Sequence, residues 1–369
     1  MTRVILFKVN RVVRWAARPV EGWVEPEWAV EFGELLPPES EYQYGDLRPA
    51  QIRLLRLLPG RHPEPIRCRL EVSDLDSQLS FEAISYVWGK GKFDRFVVVD
   101  GKRLNVMESA YSVLQRRRSR RVERVLWIDQ ICINQADIVE RASQVRVMKE
   151  LYASADRVVA WLGHSESAHL VQSFFGELQY QQEGLGFTGE ELRNAAGRGG
   201  GAKWQALCEF LRNEWFTRIW IIQEATFSRE LHLLYGDVCM DWDLVGEAIP
   251  ALWHWDMLQS IPALDGNADT MLEFRGDVDY GRIFNVFTAL ENCVGFRCSE
   301  PRDKIYALTN IFDDVRITPD YGIPVAKLFT QIMLDILKKG NSLDAIAWAG
   351  TGFGARAIED LPSWVPDWN

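Results

Sequence analysis

The sequence predicts an α/β protein with an open parallel sheet flanked by helices, followed by a mainly helical C-terminal unit. Short apolar runs at 81–88, 122–133 and 157–163 have the length and the β-forming residues of buried strands. Amphipathic helical patterns separate these runs. Buried strands that alternate with helices are typical of a parallel sheet covered on both faces.

The composition favours a globular protein and argues against a nucleic-acid-binding or membrane-spanning one. The 369 residues are 47% hydrophobic and 25% charged, as in globular proteins, and leave room for two units. The net charge of −10 argues against a general nucleic-acid partner. No apolar run approaches the roughly 18 residues that cross a bilayer, so no membrane span is expected.

The six cysteines are dispersed along the chain, and only Cys293 and Cys298 lie close together in sequence. A Cys-x4-Cys pair without a second pair or a nearby histidine is a poor zinc signature, so no metal site is expected. Dispersed cysteines of this kind are typical of reduced thiols. We therefore expect a cytoplasmic protein.

Changes in the residue pattern predict three regions. Residues 1–48 form an N-terminal arm, because most of this stretch has no clear period and is rich in Pro, Glu and Trp. Residues 49–236 carry the strand and helix signals of the predicted sheet. Residues 237–369 form the mainly helical region, with helical patterns at 282–292 and 324–338.

Turn residues bound most of the predicted strands. An apolar run begins at Ile52 and stops at Pro59-Gly60, and the run at 81–88 stops at Gly89. FVVVDG at 96–101 closes on Asp-Gly, and LHLLYG at 231–236 gives a further strand.

Capping patterns predict where two helices begin. Asn105 with Glu108, and Asp137 with Glu140, have the spacing of a capping box. The second helix is expected to place one apolar face on the sheet, formed by Val145, Met148, Tyr152 and Ala155.

One later pattern is a run of basic residues. The run Arg116–Arg121, RRRSRR, indicates a solvated helix end, because cations interact favourably with the helix dipole there; a nucleic-acid contact is the alternative.

Asn213 is expected to cap a helix that continues to Glu224.

Several residues should meet at one edge of the sheet. Tyr86, Trp88 and Gly89 end the first buried strand, Asp129 ends the second, and Asn134 lies in the loop after it. In open α/β sheets, ligands bind outside the carboxyl ends of the strands. This convergence predicts a ligand site formed by these residues.

Glu224 is a carboxylate on an aromatic helix face, because Trp220 lies four residues and Phe216 eight residues before it. Two interpretations stay open. Glu224 forms a structural ion pair, with Arg218 as a candidate partner, or it lies in a cleft where burial raises its pKa toward values useful in acid–base chemistry.

Several common catalytic motifs are absent from the sequence. There is no Gly-x-Ser-x-Gly elbow and no His-Glu-x-x-His zinc helix. The glycine-rich stretch at 183–202 lacks the Lys-Ser/Thr of a phosphate-binding loop, so a surface loop is expected there.

Five segments together resemble the heterokaryon-incompatibility (HET) domain of filamentous fungi. Order, spacing and residue identity match at AISYVWG (83–89), LWIDQICINQ (126–135), the helix pattern at 140–155, VVAWLG (158–163) and RIWIIQEA (218–225). Later segments resemble the region that commonly follows the domain: CSEPRDKIYAL (298–308), PDY (319–321) and LPSWVPDW (361–368).

The resemblance implies a role in fungal non-self recognition and regulated cell death. HET domains are thought to be distantly similar to TIR domains, which implies a TIR-like sheet and self-association. Enzymatic TIR domains cleave NAD⁺ at the nicotinamide–ribose bond, and Trp220-x-x-x-Glu224 matches the spacing around their catalytic glutamate. NAD⁺ is thus the candidate substrate, with no separate cofactor expected, and the protein that triggers activity is unknown.

The implied site places Glu224 beneath the ribose as the catalytic carboxylate. Tyr86 or Trp88 would stack on a ring of the substrate, with Gly89 beside them, while Asp129 and Asn134 would hydrogen-bond the ribose or orient the loop. The alternative is a non-catalytic, TIR-like signalling module, in which the same residues form core and interface. A nucleotide-binding hydrolase is a third class, and the sequence has no P-loop to support it.

Overall fold

A mixed nine-stranded sheet forms the centre of the described chain. The computed structural model describes residues 40–75, 79–182, 201–254, 267–279, 281, 284–340, 342–351 and 357–369. These residues fall within one compact unit, Phe32–Asn369. The strands are β1 Gln51–Leu57, β2 Arg67–Asp74, β3 Glu82–Tyr86, β4 Arg95–Val99, β5 Lys102–Val106, β6 Arg124–Trp127, β7 Arg157–Trp161, β8 Leu231–Tyr235 and β9 Val238–Asp241, in the order β5-β4-β2-β1-β6-β3-β7-β8-β9.

The prediction of a parallel sheet is wrong for the sheet as a whole. The neighbours β6, β3, β7 and β8 do pair in parallel. However, β1 runs antiparallel to both β2 and β6, and two hairpins add further antiparallel pairs. The β4–β5 hairpin turns at Asp100 and Gly101, whose φ angles of 50° and 78° suit a tight two-residue turn. The α/β class is confirmed, while the TIR-like arrangement stays a prediction.

Helices cover the sheet and make up most of the C-terminal part. They are α1 Glu108–Arg117, α2 Asp129–Cys132, α3 Ile138–Arg146, α4 Met148–Ser154, α5 Ala168–Gln182, α6 Ala202–Leu211, α7 Ile221–Thr226, α8 Trp242–His254, α9 Asn267–Asp279, α10 Val286–Asn292, α11 Asp303–Tyr306, α12 Val325–Lys338 and α13 Ser342–Thr351. Strand β9 lies within the region predicted to be mainly helical, and the described elements after it are helices.

Of the two pairs with capping-box spacing, the one that begins at Asp137 caps its helix. The Asp137 side chain accepts hydrogen bonds from the backbone N–H groups of Val139 and Glu140 at the start of α3. Asn105 instead lies within β5, because the Asp-Gly turn carries the chain back along β4, and α1 begins after Met107 without a side-chain cap. The predicted apolar face of Val145, Met148, Tyr152 and Ala155 is buried, although the helix is interrupted at Val147.

The helix predicted between Asn213 and Glu224 is broken in two. Asn213 caps a short 3-10 helix, Glu214–Thr217, and α7 begins only at Ile221. Between them Arg218 is extended and forms a β-bridge with Arg297, where the Ile219 N–H donates to the Arg297 carbonyl at 3.0 Å. The break follows from this long-range pairing, and Phe216 therefore does not share one continuous helix with Glu224.

Some sequence predictions fall outside the described residues. These are the arm at 1–48, of which residues 1–39 are not described, and nearly all of the glycine-rich stretch at 183–202. The boundary at residue 236 stays a prediction. In the described part of the chain, none of the helices combines the length and the apolar character needed to cross a bilayer.

Candidate functional site

Two carboxylates lie near the carboxyl ends of the central strands. Tyr86 is the last residue of β3, and Asp129 follows β6 closely, as the first residue of α2. Glu224 reaches the same region from α7. The charge of Asp129 raises the pKa of Glu224, and the charges of both carboxylates raise the pKa of Tyr86, so the structure brings these three residues close together.

Glu224 is almost fully buried, with 2% of its surface exposed. Ser85 donates a hydrogen bond from its hydroxyl to the Glu224 carboxylate, and Tyr152 is a second hydrogen-bond partner. Burial raises the pKa of Glu224, because water no longer solvates the charged form; the charge of Arg218 and these hydrogen bonds oppose that rise. Burial thus favours the protonated form of Glu224, whereas Arg218 and the two hydrogen bonds favour the ionised form.

Asp129 is held by two donors. The Trp88 indole Nε1 donates to its Oδ2 at 2.8 Å, and the Gln130 backbone N–H donates to its Oδ1 at 2.7 Å. Burial raises the pKa of Asp129, while the charge of Arg218 and the Trp88 hydrogen bond act in the opposite direction. Trp88 itself is half-buried, so it connects the carboxylate to the protein surface.

The Tyr86 hydroxyl is a buried polar atom without a hydrogen bond of standard geometry. Burial raises its pKa well above the usual value, and the neighbouring charge of Asp129 raises it further. Buried polar atoms are nearly always paired, because an unpaired one costs about 1–3 kcal/mol. The hydroxyl lies close enough to Asp129 for each group to act on the pKa of the other as a hydrogen-bond partner, but the contact falls short of standard geometry, so the hydroxyl is a candidate ligand contact.

Arg218 supplies the positive charge of the site. Its guanidinium donates to the Tyr86 backbone carbonyl, and its charge lowers the pKa of both Asp129 and Glu224. Among the described residues, Arg218 forms no ion pair with either carboxylate within 4.0 Å. It therefore balances two carboxylates at a distance, and does not neutralise Glu224 by direct contact.

Gly89 and Asn134 lie apart from these contacts. Gly89 is exposed, with φ of 78°, directly after Trp88. The Asn134 backbone N–H donates to Glu140 Oε1 at 2.6 Å, and Glu140 forms a buried ion pair with Arg53. Of the predicted site residues, the structure thus groups Tyr86, Trp88, Asp129 and Glu224, while Asn134 belongs to a second polar cluster.

Sequence reasoning missed three residues that hold Glu224. Trp215 donates from Nε1 to the Ser85 hydroxyl at 2.7 Å, which extends the hydrogen-bond chain from Glu224 into the core. Ser85 was detectable as a polar residue inside an apolar strand. Tyr152 was assigned to the apolar helix face, and spacing alone did not reveal where its hydroxyl points.

Residues around Glu224 are also tied to the later part of the chain. Trp220 Nε1 donates to Asp303 at 3.0 Å, and Tyr321 donates to the other carboxylate oxygen at 2.8 Å. Burial raises the pKa of Asp303 to about 6. Gln223, next to Glu224, donates to the Ala307 carbonyl at 2.7 Å.

Potential metal ligands do not cluster in the described residues. No group of three or more His, Cys, Asp and Glu side chains there has the arrangement to hold an ion. The six cysteines are free thiols, as expected, and burial raises the pKa of the Cys132 thiol to about 12. The site is built from carboxylates, hydroxyls, indoles and one guanidinium.

Comparison with known protein families finds a similarity over the segment that contains this site. The model of the family described as heterokaryon incompatibility protein (HET) matches residues 81–224, which begin at β3 and end at Glu224. Over this segment the chain is similar to the HET family. All four grouped site residues lie within the matched segment.

A curated relative extends the similarity beyond the HET domain. Heterokaryon incompatibility protein 6, OR allele, of Neurospora crassa is 26% identical over 394 aligned positions, which cover 86% of this chain. The chain spans 58% of the length of that relative. No solved structure matches the chain.

Proposed function

We propose that this HET-domain protein acts in heterokaryon incompatibility, as a non-self recognition protein that promotes regulated cell death by cleaving NAD⁺. The observation that carries the proposal is the position of Glu224, close to Asp129 and the Tyr86 hydroxyl near the carboxyl ends of the central strands. The name of the Neurospora relative supports the biological role.

The reaction would break the bond between nicotinamide and ribose. Its electron pair leaves with the nicotinamide nitrogen, so positive charge builds on the ribose, as it does in glycoside hydrolysis. An ionised Glu224 would stabilise that charge, and the charge of Arg218 favours the ionised form. Water then adds to the ribose carbon, which gives ADP-ribose and a proton. Nicotinamide leaves as a neutral ring, so the step requires no acid catalyst.

The neighbouring residues would position the substrate. The Tyr86 hydroxyl would bond a ribose hydroxyl, Trp88 would stack on a ring of the substrate, and Asp129 would orient Trp88. Asn134 would act through the loop after α2. Because Glu224 is almost fully buried, the substrate must displace part of its cover, and half-buried Trp88 is the residue we expect to move.

The test is direct. Purified chain is incubated with NAD⁺ over a hundredfold range of protein concentration, and nicotinamide is measured by liquid chromatography. We expect release that increases more steeply than in proportion to protein, because self-association would complete the site. Absence of nicotinamide at every concentration would contradict the proposal.

A second candidate function is a non-catalytic self-association module. Ile138 and Val139, at the start of α3, are exposed apolar residues, and Val139 is 79% exposed. Apolar side chains that solvent reaches so fully are common at protein interfaces. Concentration-dependent assembly that Val139→Ser abolishes, with no nicotinamide release by the wild type, would favour this function.

A further inference from the structure

Three arginines surround one carboxylate at the amino ends of the central strands. Glu82 begins β3, Arg124 begins β6 on one side and Arg157 begins β7 on the other. Arg117, at the end of α1, donates a hydrogen bond to Glu82. We call these four residues the arginine cluster. Since β3, β6 and β7 run in parallel, the cluster lies at the opposite edge of the sheet from Glu224.

The positive charge of the arginine cluster is only partly compensated. Arg124 Nη1 and Arg157 Nε lie 3.8 Å and 3.9 Å from the same Glu82 oxygen, beyond hydrogen-bond distance. Arg124 Nε is buried without any hydrogen-bond partner. The side chains of Arg124 and Arg157 are nevertheless 40% and 44% exposed, so a ligand can reach their guanidinium groups.

Two carboxylates next to the cluster in sequence have other partners: Glu123 pairs with Arg56, and Asp156 accepts a hydrogen bond from Ser80. Arg116 and Arg118, from the RRRSRR run, are held by the carbonyls of Gly236 and Glu64, so that helix end is only partly solvated. Arg120 and Arg121, from the same run, are exposed. Among the described residues, Glu82 is the one carboxylate that pairs with the three guanidinium groups of the arginine cluster, which leaves a local positive charge that favours an anion.

We propose that the arginine cluster binds a small ligand through its phosphate groups. Guanidinium groups suit phosphate because their planar forks donate paired hydrogen bonds to its oxygens. The net charge of −10 over the chain opposes a long polyanion such as a nucleic acid, whereas a small oxyanion experiences mainly the local positive field. The proposal does not depend on cleavage of NAD⁺.

Calorimetric titration of the full chain with sodium pyrophosphate, at constant ionic strength set with sodium chloride, tests the proposal. The variant Arg124→Gln/Arg157→Gln should bind pyrophosphate at least tenfold more weakly, because it loses two charged hydrogen-bond donors to the phosphate oxygens. Arg316→Gln/Lys327→Gln is the matched control. It removes the same charge from exposed positions in the C-terminal part and should bind as the wild type does.

Two results would overturn the proposal. One is wild-type affinity in Arg124→Gln/Arg157→Gln, and the other is an equal loss in the control variant, which would indicate general charge attraction. If the double variant does not fold, Arg157→Lys replaces it, because it keeps the charge and loses the fork; affinity unchanged by Arg157→Lys would then contradict the proposal. Parallel titrations with inorganic phosphate and with ATP distinguish a single phosphate from a nucleotide as the ligand.

Discussion

Ser85 in the central strand β3 donates a hydrogen bond to Glu224 in α7, across 139 residues of sequence. The same hydroxyl oxygen accepts a hydrogen bond from Trp215 Nε1 at 2.7 Å. One small side chain therefore fixes the candidate carboxylate to the sheet and satisfies a buried indole. Its removal would affect both groups at once.

The first prediction concerns Ser85→Ala. The substitution leaves the Trp215 N–H without its acceptor and removes one donor from Glu224, so the free energy of unfolding should fall by about 2–3 kcal/mol. Urea denaturation followed by tryptophan fluorescence measures the change. Ser112→Ala is the control, because its hydroxyl bonds a partly exposed carboxylate, and we expect a change under about 0.5 kcal/mol. Equal midpoints for both variants would contradict the role assigned to Ser85.

The second prediction concerns the proposed reaction. Glu224→Gln keeps the shape of the side chain and removes its charge, so nicotinamide release should fall by at least a hundredfold. Glu214→Gln removes a carboxylate from an exposed position ten residues earlier and should leave release unchanged. Normal turnover by a folded Glu224→Gln variant would exclude Glu224 from the mechanism.

The third prediction is a pH dependence of stability caused by Asp303. The pKa of Asp303 is about 6 in the folded chain, against an ordinary value of 3.8 in the unfolded chain, so the folded state binds more protons between these values. Stability should therefore fall as pH rises from about 4 to about 6, by about 3 kcal/mol in total.

Urea denaturation at a series of pH values tests this effect. Asp303→Asn should show a shallower fall than the wild type over that window, whatever its absolute stability. The control variant Asp313→Asn changes an exposed carboxylate and should follow the wild-type curve. Parallel curves for wild type and Asp303→Asn would show that Asp303 does not titrate as described.

The fourth prediction concerns the buried pair of Arg53 and Glu140. The two side chains are 2% and 8% exposed and share two hydrogen bonds, at 2.6 Å and 3.0 Å. Glu140→Gln leaves a buried guanidinium without its counter-charge, which should lower the free energy of unfolding by about 3–5 kcal/mol. Glu150→Gln, at an exposed position of α4, is the control for urea denaturation. Similar stabilities for the two variants would contradict the prediction.

Local patterns were sufficient to predict the parts of the fold that are buried. The strands at β3, β7 and β8 are short apolar runs, and their burial follows from that composition. In contrast, β2 has only Cys68 fully buried, so it carries no strong apolar signal. The direction of β1 depends on its partners in space, which spacing along the chain does not encode.

The sequence predicted which edge of the sheet carries the candidate site, but it did not predict the hydrogen-bond partners of the site residues. Tyr86, Trp88 and Asp129 end predicted strands, so their common edge followed from the rule for parallel neighbours. The hydrogen-bond partners of Glu224, Ser85 and Tyr152, come from two distant segments, and the break at Arg218 depends on a bridge to Arg297. Such long-range pairings leave no periodic trace in a single sequence.

The ties between α7 and the later chain bear on how this protein can be handled in the laboratory. The family match stops at Glu224, yet Gln223 bonds the Ala307 carbonyl and Ile219 bonds the Arg297 carbonyl. A recombinant fragment trimmed to the matched segment would lose both acceptors. The Gln223 side-chain amide and the Ile219 backbone N–H would then lack these hydrogen-bond partners. We expect it to aggregate, so assays need a chain that continues beyond residue 307.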